Sequence, residues 1–162
     1  MKEKNATAST PLEVLAFRIG SQEFAVDVSS VREIRGWTAA TPLPHAPDFV
    51  SGIINLRGIV LPIIDLARRL GYAPCEPTMR HAIIVSQLNG QMVGLLVDGV
   101  SDILTIDPRG IQPTPEVACD MARSFLRGVM PVDGRMISLL ELEAAVPSSG
   151  IANSMQAMGA VL

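Results

Sequence analysis

The sequence predicts a mainly β fold in which one small unit occurs twice. Three features of the chain lead to this prediction. Apolar runs of strand length, rich in Val, Ile and Leu, recur at close spacing, as they do in barrels and sandwiches. The pair Asn89-Gly90 separates two of these runs, and Asn-Gly favours the positive φ angles of a tight hairpin turn. Two segments of the first half recur in the same order in the second half, which indicates an internal duplication.

Strands are predicted along most of the chain. Polar residues 21–23 separate two strand-like runs that begin at Leu12 and Phe24, and this pattern predicts a first hairpin. Residues 59–66 form a continuous apolar run of strand length. Residues 81–100 surround the Asn-Gly turn and predict the clearest hairpin.

Helices are predicted to be few and short. Residues 45–52 favour one or two helical turns that start near Pro47. Residues 65–71 favour a short helix that ends at Gly71.

Two gapless alignments define the repeat. The segment FVSGIINLRGIVLPIIDL from Phe49 aligns with FLRGVMPVDGRMISLLEL from Phe125. The segment FAVDVSSVREI from Phe24 aligns with VGLLVDGVSDI from Val93. A unit of roughly 60–70 residues is too small to bury a large core alone, so the two halves are expected to share an interface. Chance similarity between aliphatic strands is the alternative.

The turn at Arg57 is a candidate recognition element. Gly58 aligns with Gly134, and the residue before each glycine is Arg57 in one half and Asp133 in the other. Glycine is therefore expected to specify the turn, while the exposed side chain before it is free to differ, as a recognition residue is. A buried ion pair of Arg57 with an acid such as Glu33 is the alternative.

Composition and charge limit the class of protein. The chain has 162 residues, 48% of them hydrophobic and 18% charged, and a net charge of −3. Such a chain can form one domain or two joined halves with a substantial core. Aromatic residues make up only 4%, so the core is expected to be aliphatic. The arginines are scattered rather than aligned in a stripe, which argues against a nucleic-acid partner.

The location expected from the sequence is the cytosol. No apolar run approaches the roughly 18–20 residues that span a bilayer, so membrane insertion is not expected. Residues 1–10 are polar, lack the apolar core of a signal peptide and are expected to form a flexible tail. Cys75 and Cys119 lack metal-ligand or secretory spacing and are expected to be free thiols.

No catalytic, cofactor or metal site is predicted. His45 lies between prolines and His81 precedes a strand, and neither has a Cys or carboxylate at ligand spacing. A nucleophile elbow, a dinucleotide-binding loop and a phosphate-binding lysine are all missing from the sequence. Asp98 and Asp102 could act as an acid–base pair, but their setting is more typical of solvated turn residues.

The stretch VREIRG, residues 31–36, has two interpretations. In the first, it is an ordinary alternating strand with Val31 and Ile34 partly buried and its charges in water. In the second, the charges form a rim beside an apolar docking patch. The pattern alone leaves both open.

Four segments together resemble the CheW family of chemotaxis coupling proteins. They are EVLAFRIGSQEFAVDVSSVREIRGW, GIINLRGIVLPIIDL, VGLLVDGVSDIL and FLRGVMPVDGRMISLLEL. The likeness extends from about Leu12 to Val146, and the sequence contains neither a receiver domain nor a kinase core. The chain is therefore expected to be a stand-alone CheW-like domain.

The resemblance implies a fold and a role. The fold would be two SH3-like five-stranded β-barrels that share an aliphatic interface, in a single domain of residues 11–147 with residues 148–162 as a C-terminal tail. The protein would have no catalytic activity and no cofactor. It would link the cytoplasmic tips of methyl-accepting chemotaxis receptors to the histidine kinase CheA, pair with the regulatory domain of CheA, and be recruited to receptor arrays at the membrane.

The resemblance also implies which residues contact partners. They are Val31, Glu33, Ile34 and Arg35, then Gly52, Arg57 and Gly58, and finally Val97, Val100 and Ile103. The last group would lie near a groove between the barrels where receptor helices dock.

Two rival functions remain open from the sequence. The same fold could couple a pilus-motility or surface-sensing chemosensory pathway. A protein of another class, a small β-barrel enzyme or ligand binder, would need a polar pocket that the sequence does not indicate.

Overall fold

The computed structural model describes residues 10–72, 76–114 and 124–146, and it is mainly β. The predicted tails, except for Thr10, and both cysteines lie outside these residues. The strands are β1 (Leu12–Ile19), β2 (Gln22–Asp27), β3 (Val31–Gly36), β4 (Val50–Leu56), β5 (Ile59–Asp65), β6 (Ala82–Leu88), β7 (Gln91–Val97), β8 (Gly99–Ile106), β9 (Leu126–Val132) and β10 (Arg135–Leu140). The helices that lie wholly within the described residues are α1 (Leu66–Arg69) and α2 (Leu142–Ala145), with 3-10 turns at Val28–Ser30 and Pro108–Gly110.

The strands form two five-stranded sheets. The first sheet has the order β8-β1-β2-β10-β9, and the second has the order β3-β6-β7-β5-β4. The pairs β2–β10 and β5–β7 are parallel, while the other pairs are antiparallel.

The repeat seen in the sequence is present in the structure, but neither sheet is built from one repeat alone. After the β1–β2 hairpin the chain crosses to the second sheet, where β3 pairs with β6. After the β6–β7 hairpin it crosses back, and β8 pairs with β1. Each sheet therefore contains strands from both repeats, and the topology is unchanged when β1–β5 are exchanged with β6–β10.

Both faces of each sheet are apolar, and three buried clusters result. The central core takes residues from both sheets, among them Leu15, Phe17, Ile64 and Ile84. The second sheet also encloses an inner core of its own, and the first sheet encloses another. Because successive residues of a strand face opposite ways, a strand that serves two cores must be apolar at every position. The continuous apolar run of β5 therefore has a physical explanation.

Each sheet curls until its two end strands come close. Thr41, which follows β3, forms a bridge to Ile53 on β4, with both N···O distances at 2.8 Å. Gln112, which follows β8, bridges Val129 on β9 in the same way. A side chain at Gly52 would collide with the carbonyl oxygen of Thr41, which explains the glycine. The sheets themselves are not closed, so the prediction of two SH3-like barrels is not confirmed in that form.

The local predictions had mixed outcomes. The Asn89-Gly90 hairpin is confirmed, with φ angles of 50° and 79°. The helix α1 is confirmed, capped by Asp65, whose side chain accepts a hydrogen bond from the Arg68 N–H. The one or two helical turns predicted near Pro47 are present only as a single hydrogen-bonded turn, in which the Pro47 carbonyl accepts from the Val50 N–H at 3.0 Å. Phe49 accepts a hydrogen bond from the Asp65 N–H at 2.7 Å, so pairing with β5 overrides the local preference.

An ion cluster stabilises the first sheet. Arg135, at the start of β10, donates to both carboxylate oxygens of Glu23 on β2, at 3.0 and 2.7 Å. The same guanidinium lies 3.5 Å from Asp102 on the edge strand β8. The hydrogen bonds from Arg135 lower the pKa of Glu23, and Glu23 in turn raises the pKa of Arg135.

We expect the protein to unfold in one cooperative transition. The central core draws on both sheets, and each sheet contains strands from both repeats, so neither repeat retains a core without the other. Far-UV circular dichroism and the fluorescence of Trp37 should give the same midpoint, and the calorimetric and van't Hoff enthalpies should agree. Two separate transitions would show that one sheet and its inner core are stable alone.

The ion cluster gives a prediction for the effect of pH. The pKa of Glu23 is lowered in the folded state from an ordinary value of 4.5, so the stabilisation is complete above that value and disappears as the pH falls through the folded pKa. Glu23→Gln should therefore lower the urea midpoint at pH 7, and the difference from the wild type should shrink at about pH 3. The control is Glu13→Gln on β1, an exposed side chain. A difference that is the same at both pH values would contradict the role of the Glu23 charge.

Candidate interaction surface

Three charged side chains meet at the rim of the second sheet. Glu33 on β3 accepts a hydrogen bond from Arg57, which lies in the turn between β4 and β5. Its other carboxylate oxygen accepts one from Arg35 at 3.3 Å. Because β3 and β4 are the two end strands of this sheet, the Glu33–Arg57 pair joins its opposite edges. We call Glu33, Arg35 and Arg57 the rim cluster.

The rim cluster lies at the surface. The side chain of Arg57 is 65% exposed and that of Glu33 is 31% exposed, so the alternative of a buried pair does not apply. The hydrogen bond from Arg57 is the main cause of the lowered pKa of Glu33, with Arg35 contributing less. Glu33 in turn raises the pKa of Arg57. Two guanidinium groups around one carboxylate leave the cluster with a net positive charge at neutral pH.

The Arg57-Gly58 turn differs from the sequence prediction in one respect. Glycine was expected to be the residue with special backbone freedom, but Arg57 and Gly58 have φ angles of 53° and 88°. The side chain of Asn55 accepts a hydrogen bond from the Gly58 N–H at 2.8 Å. Asp133 and Gly134 form the equivalent turn, with φ angles of 49° and 78°. Both turns therefore require two residues in the left-handed region, the first of which is not glycine.

The structure of β3 differs from the interpretation of residues 31–36 as an ordinary alternating strand. Val31 is partly buried against the central core, as expected, but Ile34 is 46% exposed, whereas Glu33 and Arg35 are half-buried. Ile34 lies opposite Ile84 and so faces the central core. Because β3 is an end strand, the core does not extend far enough to cover the Ile34 side chain. An apolar side chain thus stands in water between Glu33 and Arg35 along the strand, on the opposite face of β3 from these two side chains.

The predicted residues of the second repeat lie on and next to the edge strand β8. Val100 is partly buried against the central core, and Ile103 is 59% exposed. Val97 is only 1% exposed, so its side chain belongs to the core and has almost no surface to offer a partner. Val100 and Ile103 align with Val31 and Ile34 in the repeat.

The structure therefore sorts the predicted residues into three groups. Glu33, Arg35 and Arg57 come together at the rim of the second sheet, Gly58 follows Arg57 in its turn, and Ile34 is exposed on the other face of β3. Val31 and Val100 border the central core, and Ile103 is exposed on the far edge of the first sheet. Gly52 and Val97 serve the fold, through a close backbone approach and through core packing.

Two features of the surface were not predicted from the sequence. Ile59, next to the Arg57-Gly58 turn, is 52% exposed, although it belongs to a continuous apolar run. Asp98 is not a freely solvated turn residue, because its side chain accepts a hydrogen bond from the Gly20 N–H at 2.7 Å. It also lies 3.5 Å from the His81 ring. These partners are far apart in sequence, and no local pattern indicates them.

A ligand binder would need a polar pocket, and one cleft of about 420 Å³, lined in part by Asp48, Asp65 and Arg68, lies among the described residues. None of the described residues form a group of three or more metal-ligating side chains. A cleft of about 380 Å³ opens beside Arg35, between residues 38–41 and β4, and it extends the surface around the rim cluster. In the same ranges of the chain, no helix is both long and apolar enough to span a membrane.

Comparison with known proteins identifies the family. A family model for the CheW-like domain matches residues 13–149. A chemotaxis protein CheW from Rhizobium meliloti is 61% identical over 136 residues, which cover 84% of this chain and 88% of the relative. Another from Klebsiella aerogenes is 36% identical over 140 residues, covering 86% and 84%.

A solved structure agrees with these relatives. The scaffolding protein TtCheW from Thermoanaerobacter tengcongensis superposes with a TM-score of 0.78 at 30% sequence identity, over 87% of this chain and 96% of that one. The family model, the relatives and the fold all agree with the resemblance carried by the four sequence segments. The chain belongs to the CheW family of chemotaxis adaptor proteins.

Proposed function

We propose that the protein is a non-catalytic coupler that links the cytoplasmic tips of methyl-accepting chemoreceptors to the histidine kinase CheA. In this role it places kinase activity under receptor control and works in the cytoplasm, recruited to receptor arrays at the membrane. The family and the relatives named as chemotaxis proteins support the proposal. The structural observation that carries it is the rim cluster, with the exposed Ile59 next to the Arg57-Gly58 turn and the exposed Ile34 on the edge strand β3.

The proposed surface has the composition of a docking site. Affinity in protein interfaces comes mainly from a few apolar or aromatic anchors and from arginine. Charged residues around them set the register and the choice of partner. Ile34 and Ile59 would be the anchors, and the guanidinium of Arg57 would be the charged contact.

A coupler also needs two separate surfaces on one rigid body. We propose that residues 11–147 are a single CheW-like domain in which each curled sheet acts as an SH3-like barrel. The rim of the second sheet would be one docking surface. The edge strand β8, with Val100 and Ile103, would border the groove for the helical receptor tip, since an amphipathic helix docks in an apolar groove with a polar rim.

The kinase assay is the direct test of coupling. Autophosphorylation of the cognate CheA should rise when this protein and receptor signalling domains are both present, and it should stay at the basal level when either is left out. The assay measures labelled phosphate on CheA with each component omitted in turn. Equal stimulation by this protein without receptors would contradict the coupling model.

Arg57→Ala should separate recognition from folding. The Arg57–Glu33 pair is exposed, and exposed pairs add little stability, so the melting temperature should change by less than about 2 °C. Binding to CheA or to the receptor fragment should weaken by roughly tenfold or more if Arg57 anchors the interface. Melting curves and pull-downs with both partners measure the two effects.

Two control variants make this test specific. Asp133→Ala alters the equivalent turn of the other repeat and should leave both binding and melting nearly unchanged. Gly58→Val places a β-branched residue at a φ of 88° and should lower the melting temperature first, with loss of binding as a consequence. A large loss of stability in Arg57→Ala would move this residue from the docking surface to the structural framework.

A further inference from the structure

Arg69, in the helix α1, is held by two aromatic rings and a carbonyl group. Its guanidinium carbon lies 4.6 Å from the ring centroid of Phe49 and 4.5 Å from that of Phe125. Its Nε donates a hydrogen bond to the carbonyl oxygen of Ala145 at 2.6 Å. Burial lowers the pKa of this guanidinium, but arginine keeps its charge in proteins. The ring faces and the carbonyl supply the negative potential that a cation requires.

These groups are counterparts of one another in the repeat. The gapless alignment places Phe49 on Phe125, and continued into the helices it places Arg69 on Ala145. The helices agree, since α1 spans Leu66–Arg69 and α2 spans Leu142–Ala145. Arg69 therefore donates its hydrogen bond to Ala145, the residue that occupies the equivalent position in the other repeat. The two rings beside its guanidinium, Phe49 and Phe125, are also equivalent residues of the two repeats.

The backbone holds the two rings in equivalent ways. The carbonyl of Phe49 accepts a hydrogen bond from the Asp65 N–H, and that of Phe125 accepts one from the Glu141 N–H, both at 2.7 Å. Phe49 precedes β4 of the second sheet, and Phe125 precedes β9 of the first sheet. The guanidinium thus contacts equivalent points of both sheets.

We propose that Arg69 occupies a cation site on the internal two-fold axis that relates the two repeats. A residue that bonds to its own counterpart, between two counterpart rings, lies on or close to that axis. The site belongs to the interface between the sheets rather than to one repeat, so an arginine from either side can fill it. Two arginines would place like charges together, which is why one repeat has arginine and the other has alanine.

The site gives the interface a directional contact that its apolar core lacks. Apolar burial is not directional, whereas a guanidinium between two rings and a carbonyl fixes both distance and angle. One cation therefore locks the orientation of the two sheets. This inference concerns the free protein and does not depend on the coupling function.

An exchange of the two residues tests the axis directly. Arg69→Ala should lower the melting temperature by roughly 5–10 °C, because it removes two desolvated cation–π contacts. Ala145→Arg alone should also destabilise the protein, through like charges at one site. The double variant Arg69→Ala with Ala145→Arg should recover at least half of the loss caused by Arg69→Ala, because the arginine returns to the site from the other repeat.

The matched control uses the neighbouring pair of counterparts. Arg68 and Ala144 are both exposed and align one position earlier in the two helices. Exchanging them should give the sum of the two single effects and no recovery. If the exchange at Arg69 and Ala145 also gives only the sum of the single effects, the site does not lie on the axis and the proposal is wrong.

A chemical rescue decides the case in which the double variant fails to fold. Methylguanidinium at millimolar concentration should raise the melting temperature of Arg69→Ala relative to its effect on the wild type. Methylammonium, which has charge but no planar guanidinium, should do so less. Equal effects of methylguanidinium on Arg69→Ala and on the wild type would show that no cation site exists between the rings.

Discussion

The rest of the structure depends on one constraint, which is that each sheet must bury both of its faces. One face covers the inner core of its own sheet, and the other joins the central core shared by both. Adjacent residues show the division, since Ile63 belongs to an inner core and Ile64 to the central one. This demand explains the aliphatic composition, because strands buried on both faces cannot alternate between polar and apolar residues. It also explains why the chain crosses between the sheets. Because β3 joins the second sheet and β8 joins the first, both repeats contribute to one central core.

The same constraint determines which apolar side chains remain exposed for the proposed partners. Most of the apolar surface is used inside the molecule, so mixed apolar and charged surface remains at the edges of the sheets. There Ile34 and Ile103 face the central core from end strands that it does not fully cover. The proposed docking surfaces at such edges would follow from the topology and would need no separate binding loop.

Short sequence patterns predicted the local structure correctly. The features that they did not predict depend on contacts between residues far apart in the sequence. The Asn89-Gly90 hairpin, the helix α1 and the repeat were predictable, because turn residues, a cap and an alignment lie within short stretches of the sequence. The sequence suggests the Glu33–Arg57 pair only as an alternative and in buried form, and it gives no indication of the Asp98–Gly20 hydrogen bond. Their partners meet only because the sheets curl and the chain crosses between them. The exposure of Ile34 was missed for a related reason, since alternation indicates which face a residue occupies but not where the core ends.

The two repeats agree in backbone and differ in charge, and this difference gives the molecule two unlike surfaces. The turns at Arg57 and Asp133 have nearly the same φ angles but opposite charges. On the edge strands the carboxylates of Glu33 and Asp102 are equivalent, yet one is held by the arginine of a turn and the other lies near an arginine at the start of a strand. Identical surfaces would bind the same partner twice. Because the backbone fixes the fold at these positions, the side chains can diverge at little cost in stability, and a duplicated scaffold can present two different surfaces, as the proposed coupling of two partners would need.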